Sequence, residues 1–301
     1  MCACEAEDTA VHYPAPQPIS RIGKALVGKT TQIASLFKDS TYTLHSGVTV
    51  TELAYLDWTG KPMRTFNFEI DLNDPAVTIA NVTPDDKPIG MGSATLTRML
   101  ETVDSPGNRV LGGTNTDFGS EANKAPQSVF WHEGICYKNN FTAYHNRPRS
   151  FFYLSKNKVA GTGTEAEYSD IIAQIEIREA FGGSSEFVRG GQPMNIAEPD
   201  LSGINPRTMV GVSQDGKTVY LVVVDGRRYT WSNGMQFPEM RDYMIAIGSW
   251  SAINADGGGS STFAVRAPEG APARFTVRNW PNDAGGIERQ LFNGLAIIAT
   301  D

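Results

Sequence analysis

Three consecutive glycines, Gly257, Gly258 and Gly259, interrupt two apolar, strand-like runs at residues 250–253 and 263–265. Ordering a glycine costs more backbone entropy than ordering any other residue. A glycine triplet between strands therefore signals unusual backbone angles or the close approach of another group. The local sequence is Asn254-Ala255-Asp256-Gly257-Gly258-Gly259-Ser260-Ser261-Thr262, with an acid before the glycines and three hydroxyls after them. A carboxylate, bare backbone N–H groups and hydroxyls in one turn suit an anionic or sugar ligand. The competing reading is a flexible Gly/Ser linker, and the apolar flanks argue against it.

The chain has 301 residues, a length that suits one large domain or two small ones. No apolar run approaches the length of a membrane-spanning helix. Its net charge of -7 excludes a non-specific attraction to nucleic acid, so an anionic substrate has to be held by local arginines. Cys136 reads as a buried thiol in a strand. Cys2 and Cys4 begin an acidic, proline-rich stretch, and residues 1–30 read as an N-terminal tether ahead of a domain spanning 31–301. No metal-ligand spacing is completed, so neither a metal nor a cofactor is expected. A cysteine followed by a polar tether is what a trimmed bacterial lipoprotein retains, although the apolar core of a signal peptide is absent. The expectation is a lipid-anchored or secreted protein of the cell envelope.

Strand patterns recur at residues 48–56, 63–72, 76–82, 108–115, 128–131, 135–137, 150–154, 185–189, 208–212, 218–224 and 291–299. Residues 209–212 and 219–224, joined through Gln214-Asp215-Gly216-Lys217, form the clearest hairpin. Helical spacing marks 93–103, 168–177 and 236–247, and a short helix is expected at 31–38. Strands outnumber helices by roughly two or three to one without strict alternation, which disfavours a doubly wound parallel sheet. The expected fold is α+β, a single domain of extensive, largely antiparallel sheet with a few packed helices.

Polar groups collect where these strands end, a usual place for site residues. Asn115 and Asp117 follow a glycine pair, and Glu179 precedes another. Arg207 opens one strand; Asp225 and Arg227 close another; Asn254 and Asp256 lead into the triplet. Each also has a plain structural reading as turn chemistry or local backbone satisfaction, and for Asp215 that reading is preferred. His12, His45, His132 and His145 complete no acid–base motif, and neither a Gly-x-Ser-x-Gly elbow nor a P-loop is present. Acids with arginines point to carboxylate chemistry on a negatively charged substrate.

In their order along the chain these segments resemble the phosphodiester glycosidase family. The resemblance runs through Gly113-Thr114-Asn115-Thr116-Asp117-Phe118, Ala180-Phe181-Gly182-Gly183, Asn205-Pro206-Arg207-Thr208, Val224-Asp225-Gly226-Arg227 and Ser232-Asn233-Gly234-Met235. It continues through the glycine triplet to Glu288-Arg289 and Phe292-Asn293. It implies hydrolysis of a sugar-1-phosphodiester or phosphoglycan to free sugar, with N-acetylglucosamine the first candidate, and a phosphomonoester. Asn115, Asp117, Arg207, Asp225, Arg227, Asn254, Asp256 and the turn Gly257, Gly258, Gly259, Ser260, Ser261 would line the pocket. The first motif departs from the family's usual Gly-Ile-Asn-Gly-Asp-Phe-Phe at Thr114, Thr116 and Gly119, which bears on the identity of the sugar. On this reading Arg207 and Arg227 grip the phosphate. Asp256 is the first choice for nucleophile or base, with Asp117 and Glu179 in reserve. Two alternatives stay open: a non-catalytic glycan-binding lipoprotein, and a phosphodiesterase cutting P–O.

Overall fold

The apolar strands are buried on both faces, and the structure explains why they read as continuous runs. The computed structural model describes residues 13–87, 89–90, 92–142, 148–196 and 203–300. Cys2, Cys4, His12 and His145, with most of the acidic N-terminal stretch, lie outside the described residues.

An eight-stranded sheet runs in the order Ser35–His45, Val48–Leu56, Pro62–Asp71, Thr218–Val224, Arg207–Val212, Ser251–Asn254, Glu186–Arg189 and Gln192–Pro193. A five-stranded sheet has the order Ala160–Thr164, Ser150–Ser155, Ile177–Gly183, Phe130–His132, Ile135–Lys138. Another runs Phe275–Val277, Phe263–Arg266, Arg109–Asn115, Gly294–Ala299, Val77–Val82. Neighbouring strands within these three sheets pair antiparallel.

Period-2 alternation sorts the side chains of Thr218–Val224 to two cores. Leu221 and Val223 enter the main core, shared with Phe68, Phe263, Phe181 and Leu295 from all three sheets. Phe68 and Phe263 stack there with centroids 4.0 Å apart. Val222 and Val224 face the opposite way, under two helices, α1 (Arg21–Lys29) and α4 (Phe237–Ile247). A further helix, α2 (Leu96–Val103), covers the outer face of the sheet that carries Arg109–Asn115, through Leu96, Met99 and Leu100. The α+β expectation holds: antiparallel sheets dominate and a few helices pack on them.

The hairpin at 207–224 forms as read, with Val212 opposite Val219, and Asp215 is turn chemistry, accepting from Lys217 N at 3.0 Å. Four local readings need correction. Residues 31–38 are not a helix; the edge strand Ser35–His45 takes up the second half of that stretch, its polar face turned to solvent. Helix α1 lies within the stretch read as tether. Ser20 caps it by accepting from Gly23 N, and Ile22 and Leu26 are fully buried. One apolar pair four residues apart leaves too faint a periodic signal to reveal it. The helix read at 168–177 is α3 (Tyr168–Gln174); it ends at Gln174, and Ile177 starts a strand. Cys136 sits in its strand but is exposed. No helix among the described residues is long and apolar enough to cross a membrane.

Because Leu26 fills the groove between α1 and α4, Leu26→Ala is expected to destabilise the whole domain by about 2–5 kcal/mol. A urea titration followed by tryptophan fluorescence measures this, and an unchanged midpoint would mean that α1 is dispensable.

Candidate active site

Strands from all three sheets end at one place. Asn115 terminates Arg109–Asn115, Asn254 terminates Ser251–Asn254, Gly183 terminates Ile177–Gly183, and Arg207 begins Arg207–Val212. The buried Asn115 amide braces this junction. Its Oδ1 accepts from Thr208 Oγ1 at 2.8 Å and Thr262 N at 3.1 Å, and its Nδ2 donates to the Asp256 carbonyl at 2.7 Å. Asp256 N in turn donates to Thr116 O at 2.8 Å. Asn115 therefore holds both ends of the glycine turn.

The turn itself needs its glycines. Gly258 has φ of +63°, in the left-handed region that side chains disfavour. A Cβ on Gly259 would fall 2.3 Å from the Arg289 guanidinium carbon and 2.3 Å from Asp283 Oδ1. Two of the turn's N–H groups are used within the fold: Gly258 N donates to Pro206 O and Ser260 N to Gly257 O. Two guanidinium groups flank the turn. Arg227, exposed and itself at φ +58°, lies beside Gly258 and is steadied by Asn205 Oδ1 at 2.8 Å from its Nη2. Arg289 lies over Gly259, forked onto Asp283 at 2.7 and 2.9 Å. A non-glycine residue in the left-handed region at such a place is typical of functional loops.

Two carboxylates meet here under different conditions. Burial pushes the Asp256 carboxyl up to about 6, with the Asp117 charge adding to the rise; the Ser260 hydroxyl, Arg289 and the Gly257 amide act against it. The Asp117 side chain is fully enclosed and paired with Arg149, Nη2 to Oδ1 at 2.7 Å. It also accepts from Phe118 N at 2.8 Å and Ser128 N at 2.6 Å. Burial pushes the Asp117 carboxyl up as well, against the pull of Arg149 and those two amides.

Several of the expected site residues are placed otherwise. Glu179 is buried, accepting from Asn81 N at 3.0 Å and Glu133 N at 3.1 Å and pairing with His132 Nδ1 at 3.1 Å, and it shares none of these partners with Asp117 or Asp256. Arg207 is buried under Phe237, donating to Met235 O at 3.0 Å and Gly203 O at 2.6 Å. Its position is that of a clamp between loops. Asp225 is closed off by Trp231, Asn279 and Trp280. Asn254 and Ser261 are buried in the junction, and Asn254 Nδ2 donates to Ser184 Oγ at 2.8 Å. The structure thus brings together Asp117, Asp256, Asn115, Arg227 and the turn from Gly257 to Ser261, and leaves Glu179 apart.

Sequence reasoning overlooks Arg149 and gives Arg289 no role. Arg149 stands between Pro148 and the strand Ser150–Ser155 and carries no motif. Arg289 stands within a segment that carries the family resemblance, and that is its only signal. Among the described residues, Ser128 Oγ, Asn254 Oδ1 and Asn293 Nδ2 are buried beside this junction without a hydrogen-bond partner, which is uncommon for polar atoms in a folded interior. Among the described residues no three His, Cys, Asp or Glu side chains converge as a metal-ligand set.

Residues 108–298 match the phosphodiester glycosidase family, a span that contains this whole junction. The chain belongs to that family. A curated relative is the uncharacterized SPbeta prophage-derived protein YomE of Bacillus subtilis, 27% identical over 172 residues. The match covers 56% of this chain and only 25% of YomE. Among solved structures, the catalytic domain of zebrafish N-acetylglucosamine-1-phosphodiester alpha-N-acetylglucosaminidase, auto-inhibited by its pro-peptide, superposes with a TM-score of 0.63 at 16% identity. That likeness covers 87% of this chain and 88% of the zebrafish domain. A hypothetical protein from Synechocystis gives a TM-score of 0.59 at 12% identity, over 87% of this chain and 64% of its own. At such identities these likenesses establish a shared fold.

Two outcomes test this electrostatic arrangement. Arg149→Leu leaves Asp117 as a buried, unpaired charge and is expected to cost about 3–5 kcal/mol. Adding Asp117→Asn should recover most of that loss in a urea double-mutant cycle, and strict additivity would contradict the pairing. Asp225, also pushed up to about 6 by burial, and Asp256 both bind protons more tightly folded than unfolded, where an aspartate titrates near ~3.9. Their contribution to stability is complete below that value and is lost as pH rises through about 6. Asp256→Asn, which cannot ionise, should therefore gain Tm relative to wild type between about pH 4 and pH 7. Parallel Tm curves across that range would contradict this.

Proposed function

We propose that this chain hydrolyses a sugar-1-phosphodiester by breaking the anomeric C–O bond, releasing free sugar and a phosphomonoester. N-acetylglucosamine is the first sugar to test. The observation that carries the reading is Asp256, with its carboxyl pushed up to about 6, placed at a glycine turn flanked by Arg227 and Arg289. A base poised near working pH is well matched to proton transfer, and two guanidinium groups match the charge of a phosphodiester.

In this mechanism the phosphate lies against Arg227 and Arg289. The sugar enters toward Asp256. Water attacks the anomeric carbon as Asp256 takes its proton. The C–O bond to the phosphate breaks, its electron pair goes to the phosphate oxygen, and the arginines stabilise that charge. A phosphate is already a good leaving group, so activating the water is the more demanding task. Asp117, saturated by Arg149 and two amides, acts as the fixed charge that raises Asp256. Arg207 and Asn115 hold the loops.

Envelope placement through a lipid on Cys2 or Cys4 forms part of this proposal. Labelling the native protein with a fatty-acid analogue tests it, and an unlabelled protein would remove the anchor.

The activity assay is release of N-acetylglucosamine from an α-linked N-acetylglucosamine-1-phosphodiester in ¹⁸O-water. Label in the sugar supports C–O cleavage, whereas label in the phosphate would overturn it in favour of a phosphodiesterase. Asp256→Asn is expected to lower kcat at least about 100-fold, within the range of general-base catalysis. For the wild type, kcat/KM should fall as pH drops below about 6, where Asp256 becomes protonated. A pH-independent acid limb, or near-normal turnover by Asp256→Asn, would remove Asp256 from the mechanism.

A further inference from the structure

Edge strands of two different sheets border one open cleft. Ser35–His45 ends the eight-stranded sheet, and Phe275–Val277 ends the sheet that carries Asn115. Tyr42, Leu44, Val265 and Thr276 line this cleft, about 390 Å³ in volume. It adjoins a larger cavity of about 750 Å³ between α2 and the loop 267–273, and Arg109 and Arg266 line both. Cations gather here although the chain's net charge is -7. In the cavity Asp104 accepts from Arg266 Nη1 at 2.8 Å and from Val110 N at 3.0 Å, and pairs with Arg274 Nη1 at 3.2 Å. In the cleft Glu52 accepts from Arg278 Nε at 2.6 Å and Lys38 Nζ at 2.5 Å. Each carboxylate faces two cations, so one positive charge in each cluster is left over. A guanidinium carries five N–H donors, and Asp104 takes one nitrogen from each of its two arginines. Arg109, exposed at the start of its strand, has no carboxylate partner among the described residues. The carboxylates on the cavity wall are Glu101, 3.9 Å from Arg98, and Glu269.

We propose that this cleft and cavity form an exosite for the phosphates of a phosphodiester-linked glycan chain whose terminal unit occupies the site at Asp256. This rests on the hydrolytic reading above for the nature of the repeating unit. The span sets the substrate class. Arg109 and Asn115 are the two ends of one strand, about 20 Å apart at the usual rise of a strand. A single sugar-1-phosphodiester is too short to touch both ends, whereas a chain reaches them. The path between them is continuous. Strand Phe275–Val277 leads from Arg274 to Arg278, and the next residue, Asn279, donates through Nδ2 to Ser261 O of the glycine turn at 2.9 Å. Arginines spaced along a groove suit phosphates spaced along a polymer, each held by a planar fork. A membrane surface would call for cations on a protruding face, and these line a recess.

The test is equilibrium binding, which requires no turnover. Wild type is titrated by calorimetry at low salt with a linear glycerol phosphate oligomer, which has phosphodiesters but no anomeric bond, and with monomeric glycerol phosphate. The oligomer is expected to bind at least about tenfold more tightly, because several linked phosphates engage at once. Arg109→Gln, at an exposed side chain, should weaken the oligomer at least about threefold and leave the monomer unchanged. Adding Arg274→Gln should remove most of the remaining advantage. Lys156→Gln, an exposed cation outside the cleft, should change neither affinity. In turnover, the double variant should raise KM for a polymeric phosphoglycan with kcat unchanged, and leave a small α-linked N-acetylglucosamine-1-phosphodiester unaffected. Equal affinity of wild type for oligomer and monomer, or the same loss in Lys156→Gln as in Arg109→Gln, overturns the exosite. So does an oligomer that fails to bind while phosphatidylglycerol vesicles bind through the same arginines. Oligomer binding that depends on Arg109, without hydrolysis of any small phosphodiester, would uphold the exosite and count against the glycosidase reading instead.

Discussion

One buried amide fixes the geometry on which the site depends. Asn115 accepts from one strand through Thr208 and from the start of another through Thr262, and it donates to the carbonyl of Asp256. Each of these bonds contributes little by itself, because folding exchanges water for protein partners. Their joint effect is positional: an amide with three of its hydrogen bonds pinned cannot rotate, so the carbonyl of Asp256 has one place to be. The Asp256 carboxylate belongs to the same residue as that carbonyl, so the bonds of Asn115 set where it sits.

The two aspartates of the junction illustrate how burial separates like groups. Asp117 gives its charge a full set of donors, and Arg149 is enclosed with it. Asp256 has the Ser260 hydroxyl and the Gly257 amide, and it feels the negative charge of its neighbour. The first environment closes round its carboxyl, with Arg149 and two amides on its oxygens. The second makes a group whose proton is held loosely enough to exchange in the working pH range. Neighbouring acids with divergent environments are a recurring basis for dividing acid–base roles.

Much of this was legible in the residues. The two-faced burial of Thr218–Val224 leaves an uninterrupted Val-Val-Val run, and the hairpin before it is written in the turn Gln214-Asp215-Gly216-Lys217. The triplet announced a close approach, and Arg289 over Gly259 supplies one. What could not be read is what depends on direction. Arg207 and Arg227 look alike in sequence, yet one ends beneath Phe237 with its donors on carbonyls and the other reaches the turn. Glu179 sits three residues before Gly182, and strand alternation sends its side chain to the opposite face from that glycine's. Arg149 is distant from Asp117 in the chain and has no local pattern, so only the fold pairs them. Helix α1 was hidden because its amphipathic face is just two residues deep.

The eight-stranded sheet also joins segments from far apart in the chain: Pro62–Asp71 lies directly against Thr218–Val224, and Arg207–Val212 against Ser251–Asn254. Pairings of such long sequence separation require large loops to close before any contact rewards them, so assembly is slow and dominated by non-local contacts. The junction at Asn115 draws strand ends from every large sheet, so no contiguous fragment contains it. The site therefore comes into existence with the last of the sheets to dock. For this protein the assembled junction and the completed topology are the same event, and an early collapsed species, however rich in strand, has no partial form of the junction to offer.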